Sequence, residues 1–276
     1  MLKRTISGAL MAALTVVLIV LGALPFGIFM VIVSLIGVYE MAKAVGVHNR
    51  KKTVNLLEVA IYLATVGMYL VLMIGDTENM DANFIAVITG FILVVFAIYV
   101  FTYPLYKATD IMGTIFTVMY IPLMGSFLYR LRAFEEHCLI MTFLVLLVAC
   151  GSDIFAYFVG SALGKHKLAP ILSPKKSIEG AVGAVVCTSV VCTVYALALC
   201  AYDVVDVKYI WMFAIIGAVG SIVSQIGDLT ASAIKRNYEI KDYGNLIPGH
   251  GGVMDRIDSI LIVSPMIYLL AQWMFK

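Results

Sequence analysis

Apolar residues fall into nine runs along the chain, each close to the ~20 residues needed to cross a hydrocarbon core. They are Ile6–Leu21, Phe26–Ala42, Leu56–Ile74, Phe84–Thr102, Ile111–Tyr129, Leu139–Gly160, Ile178–Ala201, Tyr209–Ala231 and Ile257–Phe275. Short polar connectors separate them. The pattern predicts an all-α fold, a polytopic bundle of about nine transmembrane helices. Gly and Pro inside several runs do not argue against helix, because membrane helices tolerate both. Gly22–Pro25 leaves almost no room for a connector, so the first two runs read as a tight hairpin or as one broken helix. Lys3 and Arg4 ahead of an apolar run also suit a signal peptide. No small-x-small cleavage site precedes the second run, and a membrane span is the reading adopted.

Composition supports lipid as the solvent. Apolar residues make up 62% of the chain and charged residues 13%, with a mean hydropathy of +1.02. A soluble fold of this size could not cover so much apolar surface. The net charge of +2 says little about partners, and no nucleic-acid partner is expected. Five cysteines lie in or beside apolar runs without a Cys-x-x-Cys and read as small buried hydrophobes. His48 and His137 sit in connectors and receive no role.

The basic residues set the orientation. With a cytoplasmic N-terminus, the inner side receives Lys3, Arg4, Lys43, Arg50, Lys51, Lys52, Lys107, Lys165, Lys167, Lys175, Lys176, Lys235, Arg236, Lys241 and Arg256. The outer side receives Arg130, Arg132, Lys208 and Lys276, so the ratio of fifteen to four follows the positive-inside rule. The expected location is the cell (inner) membrane, with the active site facing the cytoplasm.

The two halves differ. Residues 1–137 carry almost no ionisable residue at membrane depth and read as a scaffold. Residues 138–276, with cytoplasmic loops 163–177 and 235–256, carry the polar groups that chemistry needs. Gly217, Ser221, Ser224, Asp228, Ser232 and Lys235 are spaced by 4, 3, 4, 4 and 3 and share one helical face. Asp153, Tyr157, Gly160 and Gly164 follow the same rule in the sixth run. A carboxylate at the centre of a membrane helix costs about 3 kcal/mol and commonly faces a bundle interior or a wet cavity. Small-residue stripes also serve plain helix packing, and Asp255 and Asp258 could simply favour a helix N-terminus. Asp228, well inside its run, has no such explanation.

Two loops hold the charges. "GKHKLAPILSPKKSIEG" (Gly164–Gly180) packs four lysines into one cytoplasmic turn. Its serines, lysines and backbone N–H groups could cradle phosphate, although an ordinary positive-inside loop would look similar. No Walker motif is present. The second loop, "KRNYEIKDYGNLIPGHGGVMDRIDS" (Lys235–Ser259), mixes Lys235, Arg236, Lys241 and Arg256 with Asp242, Asp255 and Asp258. Carboxylates for Mg²⁺ beside cations for phosphate oxygens fit a magnesium–triphosphate site. Antiparallel helices on either side of the loop would bring Asp228 and Asp255 together.

Ser232–Ser259, "SAIKRNYEIKDYGNLIPGHGGVMDRIDS", resembles without departure the signature of the phosphatidate cytidylyltransferases, the CDP-diacylglycerol synthases. "GDL" at Gly227–Leu229, "SPKKSIEG" at Ser173–Gly180 and "DIFAYFVG" at Asp153–Gly160 are similar to that family as well. Before Asp153 the resemblance is topological only. It implies transfer of cytidylyl from CTP to phosphatidic acid drawn from the bilayer, giving CDP-diacylglycerol and pyrophosphate, early in phospholipid biosynthesis. It implies Mg²⁺, allows a second, monovalent cation, and suggests a homodimer. By the same resemblance Asp228 and Asp255 are metal ligands, with Asp258 a third. Lys176, Lys235, Arg236, Lys241 and Arg256 neutralise phosphates, and Asp153 pairs with Lys176. Ser173, Lys175, Ser177, Ser232, Gly249, His250 and Gly251 contact substrate. The attacking phosphate, with a second pKa near ~6, needs no general base.

Three other readings stand beside this one. A CTP-dependent polyprenol or phytol kinase would need a base and release CDP. A CDP-alcohol phosphotransferase would need an Asp-Gly-x2-Ala-Arg signature, which the chain lacks. An ion-coupled transporter could use Asp153 and Asp228 but gives no reason for Pro248–Gly252.

Overall fold

The computed structural model describes residues 2–48, 55–75, 78–133, 137–247, 249 and 251–274, with residues 2–7 as backbone only. Among them the chain forms nine helical runs: α1 Leu2–Leu21, α2 Ala23–Ala44, α3 Leu56–Ile74, α4 Met80–Phe101, α5 Ala108–Ala133, α6 Cys138–Leu163, α7 Ile178–Ala201, α8 Ile210–Asn237 and α9 Met254–Met274. Eight lie in segments long and apolar enough to cross a membrane, and α1 adds a shorter apolar stretch, Gly8–Leu21. The chain is thus an integral membrane protein with a polytopic helical fold. The nine runs expected from the hydrophobic pattern each coincide with a helix. Two short antiparallel strands, β1 Lys167–Ala169 and β2 Ser173–Ser177, stand between α6 and α7. The sequence pattern gave no sign of them.

The chain divides into two compact units. The first comprises Met1–Phe134 and Tyr238–Ile257, the second Glu135–Asn237 and Asp258–Lys276. The charged segment after α8 is therefore grouped with the N-terminal helices, although the sequence assigned it to the second half.

In the first unit α1 and α2 are separated by Gly22 alone, with φ 129°. Phe26, Met41, Leu57, Met68 and Tyr69 are buried, and Ser34 Oγ and Tyr69 OH share a hydrogen bond of 2.9 Å. By contrast α4 buries only Phe84, Phe91 and Val95, and its outward residues such as Ile85 and Leu93 are exposed, as suits a helix in lipid. Within α5 a π-helical turn at Met119–Leu123 contains Pro122. The wider turn accommodates a residue that lacks an N–H and crowds the preceding carbonyl. The arginines that break the positive-inside pattern are held by protein. Arg130 is buried, donates to Asp81 Oδ1 at 2.6 Å and lies 4.6 Å from the Phe84 ring centroid. Arg132 Nε donates to Ile19 O at 2.6 Å. His48, given no role above, lies 2.8 Å from Glu58.

In the second unit α6, α7 and α8 pack through small residues. A Cβ on Gly180 would lie 2.6 Å from Ala156 O and 2.9 Å from Gly160 Cα, so α6 and α7 meet backbone to backbone there. Gly180→Val is expected to cost about 1–3 kcal/mol through overpacking, read as a lower unfolding temperature in detergent. Ser152 Oγ and Ser221 Oγ lie 2.9 Å apart, both buried. The upper part of the α8 stripe, Gly217 to Ser224, is buried and serves helix packing. Its lower part, from Asp228 onward, carries charge. The described cysteines are free. Cys192 is buried as expected, while Cys150 is exposed.

Candidate active site

The "SPKKS" segment is strand β2, and its geometry follows from the residues around it. Lys167 pairs with Ser177 and Ala169 with Ser173. Ser177 ends the strand and caps α7, its Oγ accepting Gly180 N–H at 3.2 Å. Glu179, in the first turn of α7, reaches back to the start of the hairpin. Its carboxylate accepts Lys165 N–H at 3.0 Å and His166 N–H at 3.2 Å, and lies 2.7 Å from His166 Nδ1. The hairpin is thereby fixed to the helix it precedes.

This fixing places Ser173, Lys175, Lys176 and Ser177 on one wall of a cavity of about 370 Å³. The opposite wall comes from α6, with Asp153, Ala156, Tyr157 and Gly160, and Gln225 of α8 completes it. Of the polar stripe read on the sixth run, Asp153, Tyr157 and Gly160 line this cavity and Gly164 does not. Lys176 Nζ forms an ion pair with Asp228 Oδ2. The sequence suggested Asp153 as the partner of Lys176; Asp228 holds this ion pair, and Asp153 shares the cavity lining with Lys176. The side chains of Lys176 and Asp228 are only 19% and 27% exposed, so their attraction is less screened than that of a surface pair.

Asp258 is the most buried of the described acids of this unit, at 7% exposure. Its Oδ1 accepts Ser259 N–H at 2.8 Å, and the charges of Asp228, Lys235 and Asp153 all act on it. Arg236, in the last turn of α8, donates from Nε to Leu172 O at 3.5 Å and so reaches the hairpin turn. Lys235 is half-buried. Ser232 shares the α8 face but lines neither this cavity nor the one described next.

The first unit holds a polar cavity of about 390 Å³, lined by Lys241, Asp242, Asn245, Ile247, Gly249, Gly251 and Arg256. A single antiparallel bridge, Ile247 to Gly251, closes the loop, with Ile247 N–H donating to Gly251 O at 3.0 Å. Gly249 and Gly251 have φ of 80° and 86°, left-handed backbone that glycine adopts without penalty. Asp255 Oδ2 accepts Tyr243 N–H at 2.9 Å and Gly252 N–H at 3.0 Å. Asp255 is therefore an organiser of the loop as well as a candidate ligand. His250 and Pro248 lie outside the described residues.

Among the described residues no group of three or more His, Cys, Asp or Glu side chains converges as a ready-made metal cage. Mg²⁺ is typically held by one or two carboxylates together with substrate phosphates. Asp228 and Asp258, each within the other's field, have the chemistry for that kind of site.

One residue with a direct hand in this architecture was missed in the sequence. Glu40 of α2 is 4% exposed and accepts Val253 N–H at 3.1 Å and Met254 N–H at 2.9 Å. The signal available was its position, a lone acid near the end of an apolar run.

Comparison with known proteins agrees with these motifs. The family described as "Cytidylyltransferase family" matches residues 2–274. The phosphatidate cytidylyltransferase of Bacillus subtilis (strain 168) is 31% identical over 274 residues, covering 98% of this chain and 97% of that protein. That of Staphylococcus haemolyticus (strain JCSC1435) is 28% identical over 269 residues, 97% of each chain. That of Mycobacterium tuberculosis (strain ATCC 25618 / H37Rv) is 38% identical over 153 residues, 55% of this chain and 44% of its own. With a match along nearly its whole length, and with the hairpin lysines and the glycine-rich loop set in shaped cavities, the chain belongs to the cytidylyltransferase family.

Proposed function

We propose that this chain transfers the cytidylyl group of CTP to phosphatidic acid, releasing CDP-diacylglycerol and pyrophosphate. The observation that carries the reading is the cavity between α6 and the β1–β2 hairpin. One wall is a membrane helix and the other bears Lys175 and Lys176. A ligand with an apolar body and an anionic head suits such a cavity. The polar cavity lined by Lys241, Gly249, Gly251 and Arg256 suits nucleotide phosphates.

In the proposed reaction a phosphatidate oxygen forms a bond to the α-phosphorus of CTP. The bond from that phosphorus to the α,β-bridging oxygen breaks, and pyrophosphate leaves with the electron pair. Both reactants are anions, so the barrier lies in repulsion and alignment. Lys175, Lys176, Lys235, Arg236, Lys241 and Arg256 would neutralise phosphate oxygens. Asp228, Asp255 and Asp258 are the residues that would hold Mg²⁺, which when bound supplies positive charge at phosphate oxygens. A second, monovalent cation belongs to the same proposal. So do a homodimeric working form and a site on the cytoplasmic side of the cell membrane, supported by the family resemblance and the basic-residue count respectively.

CTP labelled in its γ-phosphate tests the reaction type. Cytidylyl transfer sends that label into pyrophosphate, and a lipid kinase would send it into the lipid. The pH profile tests the absence of a general base. The rate is expected to rise with pH through the lipid phosphate's second ionisation near ~6 and then level off, because the dianion is the nucleophile. His250→Gln should leave that limb in place. A phosphonate analogue, whose second pKa is higher, should move it upward. A limb that vanishes in His250→Gln would assign the titration to the protein.

A further inference from the structure

Glu40 is the only acid of α1 and α2, and burial of a carboxylate in a helix this apolar requires strong partners. It has them. Oε1 accepts Val253 N–H and Oε2 accepts Met254 N–H, at the start of α9, where backbone donors lack intrahelical acceptors. Negative charge is favourable at a helix N-terminus, and bonds to a carboxylate are stronger than neutral ones. The charges of Asp255 and of Lys43, one turn further along α2, act on Glu40 in opposite senses. Asp255 takes the preceding donor, Gly252 N–H. Three consecutive backbone donors, at residues 252, 253 and 254, are thus satisfied by two carboxylates, one of them more than two hundred residues away in sequence.

The same carboxylate explains two glycines of the loop. A Cβ on Gly244 or on Gly252 would overlap the Glu40 carboxylate. Neither glycine has a left-handed φ, so close approach is what requires them.

We propose that Glu40 is a positioning residue for cytidylyl transfer: from α2 it clamps the Gly252–Met254 turn and so sets Lys241, Gly249, Gly251 and Arg256 where nucleotide phosphates bind. The role assigned to the loop rests on the function proposed above, whereas the clamp rests on geometry alone.

Glu40→Gln keeps shape but must turn an amide NH₂ toward one of two N–H donors. Amide exchange at Val253 and Met254 in the purified protein is expected to quicken by about ten- to a hundredfold, with α2 itself unchanged. kcat/KM for CTP should fall by about a hundredfold while KM for phosphatidate stays. Gly252→Ala alone should reproduce both effects, and added to Glu40→Ala it should cost little more, because the two substitutions remove one contact. Unchanged exchange at 253–254, or fully additive costs, would overturn the clamp. Faster exchange with CTP kinetics intact would overturn the positioning role. A wild-type chain that makes no CDP-diacylglycerol would defeat the proposed function, and the exchange measurement would still decide the clamp.

Discussion

Asp228→Asn is expected to reduce cytidylyl transfer by about 10³-fold or more, with the protein still folded and inserted. Asn keeps the size and a hydrogen-bonding oxygen but loses the charge. The carboxylate pairs with Lys176 and acts on buried Asp258, so its charge is felt by a cation on the hairpin and by a second acid. Loss of the ion pair itself should cost more stability than the ~1 kcal/mol of a surface pair, because the two side chains are only 19% and 27% exposed. The alternative is that Asp228 and Lys176 serve only to neutralise each other. That alternative makes a distinct claim: an apolar pair in the double substitution Asp228→Leu with Lys176→Met would then be active. The expected result is a stable protein without turnover. Near-normal rates for Asp228→Asn at saturating Mg²⁺ would remove Asp228 from the reaction.

Lys176→Ala is expected to lower turnover by about 10²- to 10³-fold, against little change for Lys167→Ala. The two lysines lie in paired strands of one hairpin, and a positive-inside loop would use them alike. The structure separates them. Lys176 lines the cavity and meets Asp228, while Lys167 lies outside the lining. Lys176→Arg should not rescue fully, because a planar fork does not replace a compact point charge. Small and equal losses from Lys176→Ala and Lys167→Ala would return both residues to a topological role.

Helix positions were legible because each apolar run had to be helical: a backbone in lipid must satisfy its own hydrogen bonds. The candidate residues were legible because acids in such runs are costly, and Asp153 and Lys176 were found in one cavity. The β1–β2 hairpin was not legible, since Lys-Leu-Ala and Ser-Pro-Lys-Lys-Ser show no apolar alternation. Its order comes from Ser177 and Glu179, whose bonds span the loop. That Asp228 pairs with Lys176 was beyond spacing rules, because Asp153 and Asp228 both lie on helical stripes that could face one cavity. The α8 stripe carried two meanings at once, packing at Ser221 through Ser152 and charge at Asp228. Glu40 was hidden by distance along the chain. Its partners are backbone N–H groups more than two hundred residues away, and such donors leave no mark in a sequence.

Every catalytic role assigned above depends on the chain making CDP-diacylglycerol. The purified protein reconstituted in liposomes containing phosphatidate, supplied with CTP and Mg²⁺ and followed by phosphorus NMR, tests it most directly. CDP-diacylglycerol and pyrophosphate are expected in equal amounts, and only when phosphatidate is present. Release of CDP with a newly phosphorylated lipid, or no consumption of CTP at all, would contradict it.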